Sequence, residues 1–367
     1  MPRFRPALDD IPDYRPGEPP LRPDGGPAYK LSSNENPYPP LPGVLDAAID
    51  AAARINRYPD MVSSALLDAL SARFAVSVDC IAVSSGSLAL LQHVLQATCD
   101  SGDEVVYAWR SFEAYPISVK LAGATAVEVP LITDGKHDLD AMAASVTERT
   151  KVIIVCSPNN PTGASMSTDD LASFLRKVPP AVIVVVDEAY REFVRDPESI
   201  DDPALYRLHP NVVVLRTFSK AYGLAGLRVG MAIGSNEVIS AVRKCTTPFA
   251  VSHIAQEAAI ASLAAEAALL ERVEMLVAER VRVLSELRAA GWEVPDSQAN
   301  FVWLPLGERA GAFAAAVKSE GISVREFAGE GVRVSIGERP ANSLFLEVAR
   351  RWAPRRRAVS ARLSDNN

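Results

Sequence analysis

The chain has 367 residues, a net charge of −7, and 48% hydrophobic against 23% charged residues, the balance of a soluble globular protein too long for one ordinary core, so two domains are expected. Its acidic balance argues against non-specific nucleic-acid binding, which needs a basic footprint. The four cysteines form no Cys-x-x-Cys pair and the four histidines show no metal-ligand spacing, so no metal is expected and a reducing cytosol fits. Without an apolar leader or a run near ~18 apolar residues, neither a signal peptide nor a membrane span is expected.

Residues 1–27 are proline-rich and without hydrophobic periodicity, which predicts an extended arm. Pro42 then stands where a first helical turn accepts proline, and Val44, Leu45, Ala48, Ile49 and Ala52 mark an amphipathic helix. Asn56 to Asp60 breaks it, and Met61 to Phe74 reads as a second helix. Cys80 to Val83 is a short strand, after which Ser84-Ser85-Gly86-Ser87 opens a helix over Leu88 to Thr98. Such a turn exposes unpaired N–H groups at the positive end of a helix, so Gly86 and Ser87 form a phosphate cradle in principle, although many strand–helix joints look alike. It is not a dinucleotide fingerprint, because Gly-x-Gly-x-x-Gly is absent, nor a nucleotide P-loop, because no lysine follows the glycine. Glu104 to Trp109 and Ala124 to Pro130 are further strands, with a helix over Leu139 to Val146.

Three β-branched apolar runs follow: Lys151 to Cys156, Ala181 to Val186, and Val212 onwards, starting about 30 residues apart, the length of a βαβ unit. Each ends in polar groups: Ser157 to Gly163 after the first, Asp187 to Tyr190 after the second, Thr217, Ser219 and Lys220 after the third. In a right-handed parallel sheet these ends lie side by side, where open α/β sheets build their sites. An amide, a carboxylate, a phenol and an amine therefore converge, the set that pyridoxal phosphate needs. A lysine bonds the cofactor aldehyde, and a carboxylate keeps the ring nitrogen protonated. Asn160 and Tyr190 supply donors to the ring hydroxyl, while hydroxyls and Arg228 hold the phosphate.

Downstream, Ala232 to Gly234 reads as one more strand, and Ser252 to Ala290 as one or two long helices closed by Gly291. Arg272, Arg280, Arg282 and Arg288 are expected on its solvated faces. Strands are expected at Trp292 to Val294, Asn300 to Leu304, Ile322 to Glu326 and Val332 to Ile336, with helices near Ala310 to Glu320 and over Pro340 to Trp352. Arg333 alternates with apolar neighbours and so points to one face of its strand, and its planar guanidinium suits a carboxylate.

In six strings the sequence resembles the fold-type I aminotransferases and, within them, the histidinol-phosphate aminotransferase family: NENP from Asn34, RYPD from Arg57, SPNNPTG from Ser157, DEAY from Asp187, TFSKAYGLAGLRVG from Thr217, and VRVSIG from Val332. The resemblance implies an α/β fold: a three-layer large domain on a mostly parallel sheet, with residues 232–234 antiparallel, plus a small α+β domain. The implied divisions are an arm at 1–40 joining the small domain, a large domain at 41–265, a small domain at 266–355 and a disordered tail at 356–367. It implies pyridoxal phosphate as cofactor, with Lys220, Asp187 and Tyr190 catalytic, Phe112 stacked on the ring, and Gly86, Ser87, Thr217, Ser219 and Arg228 around the phosphate. A homodimer is implied, in which Tyr58 reaches the neighbouring site. On the substrate side it implies Tyr14 closing the pocket, Asn160 beside the substrate, Arg333 gripping the acid, and Arg325 near a substrate phosphate. The run from Tyr107 to Tyr115 resembles the aromatic amino-acid branch, and Leu88 and Ala89 stand where many histidinol-phosphate enzymes carry acidic residues. Transamination between an aromatic amino acid and a 2-oxo acid such as 2-oxoglutarate is therefore expected, with histidinol phosphate as the alternative donor. A decarboxylase of the threonine-phosphate type and a non-catalytic nucleotide-binding protein are further alternatives.

Overall fold

The computed structural model describes residues 25–200 and 205–353 and, of the first 24, residues 4, 5, 8, 9, 11, 19, 20 and 22. Tyr14 and the tail at 356–367 lie outside the described residues.

Strand β1 (Tyr29–Lys30) precedes helices α1 (Val44–Ala52) and α2 (Ser64–Phe74). Then come β2 (Ile81–Ser84), α3 (Ser87–Thr98), β3 (Glu104–Trp109), α4 (Ala114–Ala122), β4 (Thr125–Pro130) and α5 (Leu139–Ala144). The central run is β5 (Thr150–Cys156), α6 (Thr168–Leu175), β6 (Ile183–Asp187), β7 (Val212–Thr217) and β8 (Gly230–Gly234). Helices α7 (Asn236–Cys245), α8 (His253–Ala264) and α9 (Glu266–Ala289) lead to β9 (Phe301–Pro305) and α10 (Ala310–Ser319). The described chain closes with β10 (Ile322–Ser323), β11 (Arg325–Phe327), β12 (Gly331–Ser335) and α11 (Arg339–Trp352).

Seven strands form one sheet in the order β2-β8-β7-β6-β5-β3-β4, in which β8 alone runs antiparallel to its neighbours. Period-two alternation sends Val152, Ile154, Val185, Val213 and Leu215 to the face covered by α3, α4 and α7. Ile153, Val155, Val184, Val186, Val212 and Val214 go to the face covered by α5 and α6. Both faces are therefore apolar, which is why these strands read as unbroken β-branched runs. Each fully buried Val or Ile side chain contributes about 1.5–3 kcal/mol, as an upper estimate. The result is a three-layer α/β unit.

A second core joins α9, α10 and α11 to the antiparallel sheet β11-β12-β9. β1 pairs in parallel with β10, Tyr29 opposite Ile322, and ties the N-terminal segment to this unit.

Four expectations are corrected. Helix α2 begins at Ser64 rather than Met61, because the Asp60 carboxylate accepts the Val62 and Ser64 N–H groups and holds the chain in a turn. No strand forms at Trp292 to Val294; Trp292 is buried instead, its indole donating to the Ala349 carbonyl. The expected strand at Ile322 to Glu326 divides into β10 and β11, which pair with different partners. Arg280 does not lie on a solvated face: it is 3% exposed and donates to the carbonyls of Phe193 and Ala299. Helices α6 and α7, entered at Ser167 and Ser235, lie in stretches for which the sequence raised no expectation. Among the described residues, no helix is long and apolar enough to cross a membrane.

Candidate active site

Because β5, β6 and β7 are parallel and in register, with Cys156 opposite Asp187 and Asp187 opposite Leu215, the residues just past their ends meet at one edge of the sheet. A cavity of about 360 Å³ opens there. Asp187, Lys220, Asn160, Tyr190, Thr217 and Ser219 line it from the strand ends, Arg228 from the loop beyond β7, Ser87 from the first turn of α3 and Phe112 from the turn before α4. Arg325 and Arg333 line it from the second sheet, and residues 32–35 from the segment after β1.

Lys220 reaches into this cavity and donates to the Ser33 carbonyl at 3.2 Å. Among the described residues, no carboxylate lies within ion-pair distance of its amine. Withdrawal from bulk water, reinforced by the positive charge of Arg333, pushes its pKa down to about 8. The Asp187 carboxylate accepts the Tyr115 hydroxyl at 2.7 Å and the Ala189 N–H at 3.2 Å. Burial raises its pKa, and the Tyr115 hydrogen bond opposes that rise. The Tyr190 hydroxyl accepts from Asn34 Nδ2 at 3.0 Å. Asn160 Oδ1 accepts from Arg333 Nη1 at 2.6 Å, and the Ser32 carbonyl accepts from Arg333 Nη2 at 2.7 Å. The one guanidinium is thus fixed by both units of the fold.

At the other end, Gly86 (φ 99°) precedes α3, and a Cβ built there would lie 2.6 Å from Arg228 Nη2. Gly230 is equally constrained: its Cβ would meet the Ser87 N–H nitrogen at 2.4 Å. Only glycines allow the helix N-terminus and the guanidinium to close on one spot. Arg228 itself adopts left-handed backbone (φ 56°), a strained state for a non-glycine residue, and donates to Ser219 Oγ at 3.2 Å. A helix N-terminus, hydroxyls and an arginine around a small space make an anion cradle. With Lys220 and Asp187 in the same cavity, the donor set fits a phosphorylated pyridine aldehyde.

Of the expected residues, Tyr58, assigned to the neighbouring subunit's site, lies away from this cavity. Tyr58 is 83% exposed and stacks on Phe249, ring centroids 4.6 Å apart; Tyr14 is outside the described residues. Three residues went unassigned in the sequence. Asn34 holds Tyr190 and is itself held by Ser335, whose hydroxyl donates to Asn34 Oδ1 at 2.9 Å. Tyr115 holds Asp187, and Glu113 forms an ion pair with Arg325. Asn34 had a signal, its place in the first matching string; Tyr115 and Glu113 had none beyond their aromatic-rich neighbourhood.

A half-buried lysine and a buried carboxylate at parallel strand ends, with an anion cradle alongside, define the class as a pyridoxal-phosphate site on an α/β sheet. The family profile described as "Aminotransferase class I and II" matches residues 27–343. Over 352 residues the chain is 58% identical to the aromatic amino acid aminotransferase of Streptomyces avermitilis, covering 96% of this chain and 98% of that one. Identity to the enzyme of the same name from Thermobifida fusca is 58% over 354 residues, covering 96% and 98%. Among solved structures, the histidinol-phosphate aminotransferase of Sinorhizobium meliloti in complex with pyridoxal-5'-phosphate superposes with a TM-score of 0.84 at 27% identity, covering 96% of this chain and 99% of that one. The chain belongs to the class I and II aminotransferases, a pyridoxal-phosphate-dependent family.

Proposed function

We propose that this protein moves an amino group between an aromatic amino acid and a 2-oxo acid. The observation that carries the chemistry is Lys220, an amine whose pKa is lowered to about 8, sharing one cavity with the buried Asp187. The names of the relatives at 58% identity, together with Phe112 and Leu88 in the cavity wall, support an aromatic side chain. Bound pyridoxal phosphate supplies an aldehyde and an electron-accepting ring, which side chains lack.

With that cofactor bound, Lys220 would be the residue that holds its aldehyde carbon and, once the substrate amine has displaced it there, the free amine that would take and return the proton at the substrate Cα. Asp187 holds the proton on the ring nitrogen, and Tyr115 keeps the carboxylate aimed and anionic. Asn160 and Tyr190 take the ring hydroxyl, and Phe112 the ring face. Gly86, Ser87, Thr217, Ser219 and Arg228 hold the phosphate. Arg333 binds the substrate α-carboxylate through its planar fork, with Asn160 beside it.

A homodimer in the cytosol completes the reading. Tyr58, stacked on Phe249, belongs to a stretch of chain in which Leu45, Ile49, Ile55, Met61 and Val62 are also exposed, apolar side chains suited to meeting a second copy from which Tyr58 reaches the neighbouring site. The four cysteines are unpaired, as a reducing compartment keeps them. The break between α8 and α9 at Ala265 supports a large domain at 41–265 and a small one at 266–355, with residues 1–40 joining the latter through β1.

The test compares kcat/KM for phenylalanine, tyrosine and tryptophan with that for histidinol phosphate on one preparation. The aromatic acids are expected to lead; a clear preference for histidinol phosphate would overturn the substrate and leave the lysine chemistry standing.

A further inference from the structure

Arg325 and Arg333 stand directly opposite each other across the antiparallel pair β11–β12, and both line the cavity. Like charges facing each other across two strands repel, so each arginine needs acceptors of its own. Arg333 donates to the Asn160 amide oxygen and to the Ser32 carbonyl.

Arg325 is engaged by a full carboxylate. Its Nε lies 3.0 Å from Glu113 Oε2, and its Nη2 lies 2.8 Å from each Glu113 oxygen. Glu113 immediately precedes α4, yet its side chain caps no N–H of that helix. The carboxylate is directed across the cavity to the second sheet instead. Both side chains stay partly open to water, 27% for Glu113 and 15% for Arg325, so the pair is exchangeable in a way that a dry ion pair is not.

We propose that Glu113 sets which side-chain charge the substrate site accepts. It acts as an internal carboxylate that competes for Arg325 with any anionic group a substrate carries beyond its α-carboxylate. A neutral aromatic side chain leaves the pair in place. A second carboxylate or a phosphate reaches the guanidinium only by displacing Glu113, a competitor tethered at high effective concentration. The proposal rests on the reading that Arg333 takes the α-carboxylate, and it adds the side-chain class.

A neighbouring pair separates this role from plain docking of the two units. Arg110 bridges to Glu330, in the turn between β11 and β12, and so ties together the same two segments. Neither residue lines the cavity. If bridging were all that mattered, the two pairs would behave alike.

The test measures dissociation constants of two non-reacting acids, glutarate and 3-phenylpropionate, on the holoenzyme. Glu113→Gln is expected to raise glutarate affinity relative to 3-phenylpropionate by about fivefold, the scale of a partly exposed, bidentate ion pair. Glu330→Gln is expected to leave that ratio within about twofold, and the Glu113→Gln/Arg325→Gln double variant to lose the gain. An unchanged ratio in Glu113→Gln, a gain that persists without Arg325, or an equal gain in Glu330→Gln would overturn the proposal. Arg333→Lys should weaken both acids together. If it weakened neither, the reading of Arg333 would fall, and that failure is visible separately from the ratio.

Discussion

Lys220 and Arg280 are both cations held inside the protein, and they show what burial alone does and does not mean. Arg280, on α9, donates to two carbonyls, Phe193 O at 3.0 Å and Ala299 O at 2.9 Å, and so pins the segments after β6 and before β9 to one helix. Burial pushes its pKa down to about 10, with Arg195 adding to the effect, yet at neutral pH it stays a charged clamp. Lys220 has one carbonyl, open space around it, and a pKa near 8. A guanidinium held on two backbone carbonyls builds structure, whereas an amine with spare valence and a depressed pKa is free to react.

The largest expected effect breaks that contrast on the chemical side. Lys220→Ala should lower kcat by more than about 10³-fold, since the bond to the cofactor and the acid–base shuttle, which alone supplies ~10²–10⁴, go together. Its melting temperature at pH 7 should not fall in proportion. The folded pKa of Lys220 lies below the 10.5 of an ordinary lysine, so the unfolded chain binds more protons between about 8 and 10.5. Holding the cation inside therefore costs stability in full below pH 8, and that cost fades as pH rises to 10.5. Turnover within tenfold of the parent would place the reactive amine elsewhere.

Arg280→Ala should do the reverse. Leaving the two carbonyls unpaired is expected to lower unfolding stability by about 2–4 kcal/mol, while kcat per folded molecule stays within about twofold. Urea denaturation beside active-site titration separates the two quantities. A variant as stable as the parent would mean that water replaces the guanidinium and that the clamp is dispensable.

The smallest effect sharpens the comparison without a mutation. Capture of pyridoxal phosphate by the cofactor-free protein requires the neutral amine, so its rate should climb with pH and level off near 8, rather than continue towards 10.5 as for an exposed lysine. Stopped-flow absorbance across pH 6–10 gives the midpoint. A rise continuing past pH 9.5 would show that the surroundings do not depress Lys220.

What the sequence determined by itself is local and periodic. The strands β5, β6 and β7 and the polar groups at their ends were legible because a strand buried on both faces needs an unbroken β-branched run, and such a run stops where the chain leaves the core. Asp187, Asn160 and Lys220 could therefore be placed in one crevice before any coordinates, and the structure does bring them into one cavity. The face of α9 that buries Arg280 was not legible, because arginines recur around that helix and only the docking of the second unit decides which is covered. Nor were the contacts of Asn34 with Tyr190, of Tyr115 with Asp187, or of Glu113 with Arg325, partners 156, 72 and 212 residues apart. Residue type says that an amide, a phenol or a carboxylate needs a partner. Which partner it meets depends on strand register and on how the two sheets pack, and those are set by the whole core rather than by any local stretch.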